Sequence, residues 1–417
     1  MRESATGGSA LNGRYARAPM TLDLRPLVAL TFALALAVGG LGACKGSERS
    51  DVTGVTSPDA TRDEAKRAGE SGAPFAVLAT KNTQRVPLDS GPGLAAAVAT
   101  AVFPGRDQRP GAVALADTGD WRAALVASVL MAPPLRAPLL LTDQGELPGE
   151  TAAALDLLTP TGAPQAAGAQ AIRLATAGDP GGELRTASIA GDDPYTLALN
   201  VAEYRARVAR RYSRSVLVVP ADDPAYAMPA AAWAAKSGDP ILFASRRTIP
   251  GPTRRALRAH RHPRIYLLGP RSAVSRGVEA QLGTLGTVTR ITGGSPQTTA
   301  IAFARFIDGA FGWGIVDPGH GMVLADPKRP LDAGAAAALS ASGAYGPLLL
   351  TAEDGGLPPP LRDYLQDIRP GYSNDPVRGV YNRAWIVGGP DAVPAATQAE
   401  VDGLLEIAPV NSTSESP

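Results

Sequence analysis

"APLLLTD" (residues 137–143) is the stretch that decides the fold, because the chain repeats it twice. "DPILFAS" occupies residues 239–245 and "GPLLLTA" residues 346–352, which places the prolines Pro138, Pro240 and Pro347 102 and 107 residues apart. A recurrence at the spacing of one small domain indicates internal repeats. Each copy is a short aliphatic run that begins at a proline, and this pattern predicts a buried strand with proline at its entry.

The segments around each copy also recur in one order. An alanine-rich helix with proline at its first turn comes first, at Pro92, Pro194 and Pro296, where proline fits the helix start. An acid-ended strand, a second alanine-rich helix, the proline strand, another helix and a third strand follow. Short apolar strands alternating with helices predict parallel sheets covered on both faces.

The predicted fold class is therefore α/β, with three tandem Rossmann-like or flavodoxin-like modules. We place them at residues 73–187, 188–290 and 291–410, followed by a short tail at 411–417. The first module lacks a clear final helix. Over the 417 residues, 45% are hydrophobic but only 5% are aromatic, which favours cores built of small aliphatic side chains. The formal net charge of +1 gives no general attraction to nucleic acid.

The N-terminal region predicts export. The apolar run from Leu27 to Val38 is too short for a confident membrane span, and its length and small-residue finish predict a signal peptide over residues 1–43. The start codon is either Met1 or Met20. The sole cysteine, Cys44, follows Leu-Gly-Ala and resembles the lipidated cysteine of bacterial lipoproteins; the alternative is an ordinary secretory signal with a chance cysteine.

Residues 44–72 are polar and charged, which is typical of a flexible tether. Together with lipidation at Cys44, the tether predicts an extracytoplasmic protein anchored to the outer face of the cytoplasmic membrane or in the cell wall.

The repeated strand and the strand–glycine–helix finish resemble the cell-wall-binding repeat 2 family of bacterial surface proteins. The finish appears as Leu268-Gly269-Pro270 with Ala273-Val274-Ser275, and again at Gly388-Gly389-Pro390. The resemblance implies three modules about a pseudo-threefold axis, no catalysis, and binding to anionic wall polymer, with the strands at Pro138, Pro240 and Pro347 bordering the groove. The family's helix-start arginine is replaced by proline in all three copies.

An arginine-rich segment is the strongest candidate site. Residues 240–278 hold nine arginines and two histidines without Asp, Glu or Lys, and helical spacing gathers several of them on one face. Planar guanidinium groups suit phosphate and carboxylate, so we expect an anionic polymer of teichoic or polysaccharide type to bind here. The candidate residues are Arg246, Arg247, Arg254, Arg255, Arg258 and Arg261.

The alternative for these arginines is a solvated face, or an interface with acids of the third module. Those acids are Asp326, Asp332, Asp354, Asp363 and Asp367. Acids that follow predicted strands are interpreted as helix caps rather than metal ligands. They are Asp117, Asp120, Asp222, Asp223 and Asp326.

The remaining motifs predict no cofactor and no enzyme activity. The glycines Gly388 and Gly389 lack the dinucleotide fingerprint and the phosphate-loop lysine, and no catalytic constellation accompanies them. The leading interpretation is a non-catalytic, lipid-anchored surface protein that binds wall polymer. The alternatives are a solute-binding lipoprotein, or a scaffold that binds another envelope protein.

Overall fold

The computed structural model describes residues 77–343, 345–373, 375 and 379–410. The predicted signal peptide, Cys44, the tether at 44–72 and the tail at 411–417 lie outside the described residues. Within these ranges, every helix is too short or too polar to cross a membrane.

Seventeen short strands and twelve α-helices alternate along the described chain. The strands are β1 (Leu78–Ala79), β2 (Thr83–Val86), β3 (Val113–Asp117), β4 (Leu139–Thr142), β5 (Ala171–Leu174), β6 (Thr186–Ile189), β7 (Ser215–Pro220), β8 (Ile241–Ala244), β9 (Arg264–Leu268), β10 (Thr287–Ile291), β11 (Ile307–Asp308), β12 (Phe311–Gly312), β13 (Gly321–Ala325), β14 (Leu348–Leu350), β15 (Gly371–Tyr372), β16 (Arg383–Val387) and β17 (Ala408–Pro409).

The helices follow the predicted order. They are α1 (Gly91–Val102), α2 (Trp121–Ala127), α3 (Gly149–Leu158), α4 (Pro194–Ala209), α5 (Pro224–Ala227), α6 (Pro229–Ser237), α7 (Gly251–Ala259), α8 (Arg276–Gly283), α9 (Pro296–Arg305), α10 (Pro330–Ala336), α11 (Pro359–Asp367) and α12 (Ala395–Leu405), with 3-10 turns at Arg106–Gln108, Ser128–Met131, Pro164–Ala166 and Ala337–Ala341. The predicted α/β class is confirmed, and no helix lies between β5 and β6, where the first module was expected to lack one.

Three parallel sheets carry the fold, and each repeats one strand order. The first is β4-β3-β5-β6, the second β8-β7-β9-β10, and the third β14-β13-β16-β2, with β1 added antiparallel to β2. The proline strand is always at one edge. Its proline carbonyl accepts the same hydrogen bond in each sheet, from the N–H of Ala114, Leu217 or Val323 in the neighbouring strand, at 2.9 Å.

The fourth strand of each sheet leads into the first helix of the next module. β6 precedes α4, and β10 precedes α9. In the third sheet this place is taken by β2, from the N-terminal end of the described chain, which pairs in parallel with β16 and precedes α1. A strand from the first module thus completes the sheet of the third module. This pairing was not predicted from the sequence. The predicted limits after residues 187 and 290 fall inside β6 and β10.

The three second helices pack against one another. α2, α6 and α10 are rich in buried alanine, and each contacts the other two. Small side chains allow this close approach: a Cβ placed on Gly334 of α10 would lie 2.5 Å from the carbonyl oxygen of Ala124 in α2. The low aromatic content of the chain therefore has a packing reason. The predicted pseudo-threefold axis remains a prediction.

Candidate anion-binding sites in the second module

The six predicted arginines lie on the outside of the second module, and we call them the outer arginine face. Arg246 and Arg247 follow the end of β8, the carboxyl edge of the second sheet, and are exposed. Arg254, Arg255 and Arg258 lie on α7, where Arg255 and Arg258 are exposed and Arg254 is half-buried.

The orientation of α7 follows from its apolar side. Ala256 and Leu257 are buried, and the hydroxyl of Thr253 donates to the carbonyl of Phe243 in β8 at 2.7 Å. These contacts fix the helix against the sheet. The arginines at the other positions consequently point to solvent, as the helical spacing predicts.

The end of α7 differs from the sequence prediction. The helix stops at Ala259, whereas helical spacing was extended to Arg261 and His262. Both residues have left-handed backbone, with φ of 55° and 62°. Pro263 disfavours helical backbone at His262, and the side chain of His260 is buried, with Nδ1 2.8 Å from the carbonyl oxygen of Ser213. Arg261 is exposed but does not continue the helical face.

Most of the outer arginine face is uncompensated. Within the described ranges, five of its arginines have no ion pair and no side-chain hydrogen bond: Arg246, Arg247, Arg255, Arg258 and Arg261. Only Arg254 is engaged, donating to the carbonyl of Ile249 at 3.1 Å and to Gln281 at 3.0 Å.

Four of the five acids proposed as interface partners have other contacts. Asp332 accepts from Arg329 at 2.6 Å, and Asp367 pairs with Arg305 at 2.5 Å. Asp354 and Asp326 accept backbone N–H groups of their own turns. The interface alternative therefore has no ion pair in its favour among the described residues.

The three repeat prolines are buried. Pro138, Pro240 and Pro347 lie at the entry of their strands, at the opposite edge of the sheets from Arg246 and Arg247. The role visible here is the backbone hydrogen bond to the neighbouring strand, and Pro240 also lines a cavity at this edge of the second sheet. That the three prolines border a polymer groove stays a prediction.

A second basic site was not predicted. A cavity of about 830 Å³ opens at the amino edge of the second sheet, and we call it the arginine pocket. Its charged and aromatic lining consists of Arg205, Arg211, Tyr212, Arg214, Trp233, Lys236, Asp239 and His260. The signal in the sequence is "EYRARVARRYSRS" (residues 203–215), with five arginines and one acid. That pattern is also typical of a solvated helix end, which is why it was overlooked.

Of the strand-end acids interpreted as helix caps, Asp120 makes a capping bond, whereas Asp117, Asp223 and Asp326 show none in the described chain. Asp120 caps α2 by accepting from the N–H of Arg122 at 3.0 Å. Asp117 accepts from the N–H groups of Gly119 and Gly145. Asp223 stands at the N-cap of α5 but makes no capping bond through its side chain. Within the described ranges, no group of three or more His, Cys, Asp or Glu residues could hold a metal ion.

The glycine turn at Gly388 and Gly389 is also occupied. The N–H of Gly389 donates to the carboxylate of Asp89 at 2.9 Å, and Arg85 donates to the carbonyl of Gly388 at 2.8 Å. A protein carboxylate thus sits where a phosphate-binding turn would hold its ligand.

Comparison with known proteins agrees with this architecture. Two solved structures share the fold: Cwp6 from Clostridium difficile, with a TM-score of 0.61 and 15% identity over 80% of this chain and 50% of that one, and Cwp8 from the same organism, with a TM-score of 0.60 and 17% identity over 83% and 55%. The chain thus spans about half the length of each. No curated protein sequence matches it.

One family model matches the chain, and the match falls on the arginine-bearing module. It covers residues 188–279. This range includes the whole outer arginine face and the lining of the arginine pocket except Ala310 and Gly312. Residues 188–279 thus match the model of the cell wall binding domain 2 (CWB2) family, and the chain shares its fold with Cwp6 and Cwp8.

Proposed function

We propose that the protein is a non-catalytic cell-surface protein that binds an anionic cell-wall polymer through the outer arginine face of its second module. The observation that carries the proposal is a coincidence of position. The segment that matches the cell wall binding domain 2 family is the same segment that holds five exposed arginines without an ion-pair partner in the described chain.

Charge and geometry support a polyanion as the ligand. Guanidinium groups make charge-assisted hydrogen bonds with phosphate and carboxylate, frequently in pairs. An extended polymer contacts several such groups at once without needing a deep cavity, and the exposed arginines run from the end of β8 along α7. The polymer type, teichoic or polysaccharide, is not distinguished by these residues.

The predicted location completes the proposal. A signal peptide over residues 1–43, lipidation at Cys44 and a tether over 44–72 would hold the folded part at the outer face of the cytoplasmic membrane, within reach of the wall. The alternative partners are an envelope protein or a captured solute. A solute-binding lipoprotein would have two hinged lobes, whereas three similar sheets with mutually packed helices are present among the described residues.

A co-sedimentation experiment tests the function. The purified chain is mixed with insoluble wall material, either intact or stripped of its anionic polymer, and the bound fraction is measured. We expect binding to intact walls and a large loss on stripped walls. Equal binding to both preparations would refute an anionic polymer as the ligand.

A further inference from the structure

We propose that the arginine pocket is a second ligand site, which binds an anionic sugar unit of the sugar-phosphate class. It lies at the amino edge of the second sheet, whereas Arg246 and Arg247 of the outer arginine face follow the carboxyl edge. The proposal therefore stands whether or not the outer face binds polymer.

Arg205 supplies the buried anion contact. Its residue is only 9% exposed, and its Nη2 donates to the carbonyl of Pro133, from the first module, at 2.6 Å. Its Nε and Nη1 are buried and have no hydrogen-bond partner in the protein. Leaving guanidinium N–H groups buried without acceptors costs free energy, and oxygens of a bound phosphate would remove that cost.

The charge around the pocket favours the same ligand. Arg211 and Arg214 stand exposed at its rim, and Lys236 also lines it, with its ammonium 4.6 Å from the ring centroid of Trp313 in the third module. The one carboxylate in the lining, Asp239, is already engaged by the indole N–H of Trp233 at 2.8 Å and by the hydroxyl of Ser213. An excess of positive charge therefore faces the cavity.

His260 adds a contact suited to a hydroxyl group. Its Nδ1 lies 2.8 Å from the carbonyl oxygen of Ser213, which can only accept, so the hydrogen of the neutral ring is on Nδ1. Nε2 then carries a lone pair, and it is buried without a partner. A sugar hydroxyl can donate to it, whereas the oxygens of a fully ionised phosphate cannot.

The aromatic lining and the size of the cavity suit a sugar ring. Tyr212 is 45% exposed and stands edge-on to His260, with ring centroids 5.0 Å apart. The exposed surface of the Tyr212 ring offers an apolar contact for a sugar ring, next to the Nε2 atom of His260 that can accept from a sugar hydroxyl. The volume of about 830 Å³ lies in the range of roughly 300–1,000 Å³ that is usual for small-molecule sites.

Gly238 sets the position of Arg205. It has left-handed backbone, with φ of 77°, at the end of α6, and the guanidinium lies against it. A Cβ at this position would be 2.3 Å from Nη2 and 3.0 Å from Nε of Arg205. Gly238→Ala would therefore displace the buried guanidinium without removing its charge.

Isothermal titration of the full chain with glucose 1-phosphate tests the proposal. Methyl glucoside is the probe without an anion, and inorganic phosphate the probe without a sugar. We expect glucose 1-phosphate to bind more tightly than either. Arg205→Gln, Gly238→Ala and the double variant Arg211→Gln, Arg214→Gln should each weaken it, the first two by about tenfold or more. Lys328→Gln, at an exposed lysine of the third module, is the control and should leave it unchanged.

Three results would overturn the proposal: no binding of glucose 1-phosphate by the unmodified chain, equal binding of inorganic phosphate, or unchanged affinity in the rim double variant and Gly238→Ala. The rim arginines are exposed, so that double variant remains informative if Arg205→Gln does not fold. The natural ligand could be a group carried by the wall polymer or a free sugar phosphate, and soluble wall polymer as a competitor distinguishes the two. Displacement of glucose 1-phosphate by the polymer identifies polymer-borne groups, and no displacement identifies a free sugar phosphate.

Discussion

At the scale of single residues, Arg205 of the arginine pocket differs from two other buried arginines in its hydrogen-bond partners. Arg290 in β10 and Arg85 in β2 occupy equivalent places in the second and third sheets, and both donate to a glycine carbonyl at the strand end, at 2.7 Å to Gly269 and 2.8 Å to Gly388. Arg290 also pairs with Glu279 at 2.9 Å. Arg205 has a single protein acceptor and two buried nitrogens without a partner, whereas Arg85 has two acceptors and only its Nη2 unpaired. That contrast separates a structural arginine from a ligand-binding candidate.

His260 should make stability depend on pH. Burial lowers the pKa of His260, and the Ser213 carbonyl and Asp239 offset this only in part. Below the unfolded-state pKa of about 6.5, the unfolded chain binds the proton more readily than the folded chain. Stability therefore falls as pH drops through that value towards the lowered folded-state pKa. In denaturant titrations at about pH 7.5 and pH 5.5, we expect His260→Asn to reduce this loss.

The matched control for that measurement is His262→Gln. His262 is the exposed neighbour, so the variant removes one histidine without touching the buried ring. A loss of stability in His260→Asn that equals the loss in the unmodified chain and in the control would contradict the burial argument.

At the scale of elements, two features hold the modules together: close helix packing, and the insertion of β2 into the sheet of the third module. The contact of α10 with α2 depends on glycine, because a Cβ on Gly334 would lie 2.5 Å from the oxygen and 2.9 Å from the Cβ of Ala124. The third sheet depends on β2, whose Arg85 also reaches Gln398 of α12 at 2.6 Å. These contacts join segments from opposite ends of the chain.

Gly334→Ala should therefore destabilise the protein. Alanine gains about 1 kcal/mol of helix propensity over glycine, but inserting a methyl group into a filled contact costs about 1–3 kcal/mol. Because the nearest atom is backbone, which cannot rotate away, we expect the packing cost to exceed the gain and the melting temperature to fall.

The control is Gly403→Ala, in α12. A Cβ there would meet nothing within 4 Å, so only the propensity gain applies and the free energy of unfolding should rise by about 0.5–1 kcal/mol. The packing account would be wrong if thermal denaturation showed Gly334→Ala to be as stabilising as Gly403→Ala.

At the scale of the whole molecule, the sequence predicted what depends on local pattern. The proline strands and the proline-started helices were found because apolar runs and turn residues recur along the chain. The closure by β2 was not, because "TQRV" is a short, polar-looking strand whose partner β16 lies about three hundred residues away. The arginine pocket was missed for a related reason. Its lining comes from the second and third modules, and no local spacing brings Arg205 to Pro133 of the first module or Lys236 to Trp313 of the third.

The outer arginine face is proposed to bind anionic wall polymer. The most direct measurement is the affinity of soluble wall polymer for the variant Arg247→Gln, Arg255→Gln, Arg258→Gln, over a range of salt concentrations. These three arginines have no side-chain hydrogen bond within the described chain, so the fold should survive. A control variant removes three exposed arginines of the first module, Arg109, Arg136 and Arg185. Arg109 and Arg185 each donate to one backbone carbonyl, and Arg136 lies over the ring of Phe103.

Each lost contact should cost about 0.5–1.5 kcal/mol, so the outer-face variant should bind at least about tenfold more weakly. The unmodified chain should lose affinity steeply with salt, because exposed charges are screened over about 8 Å at physiological ionic strength. The first-module variant should retain most of its affinity. Equal affinities in the two folded variants, or polymer binding that salt does not change, would contradict the claim.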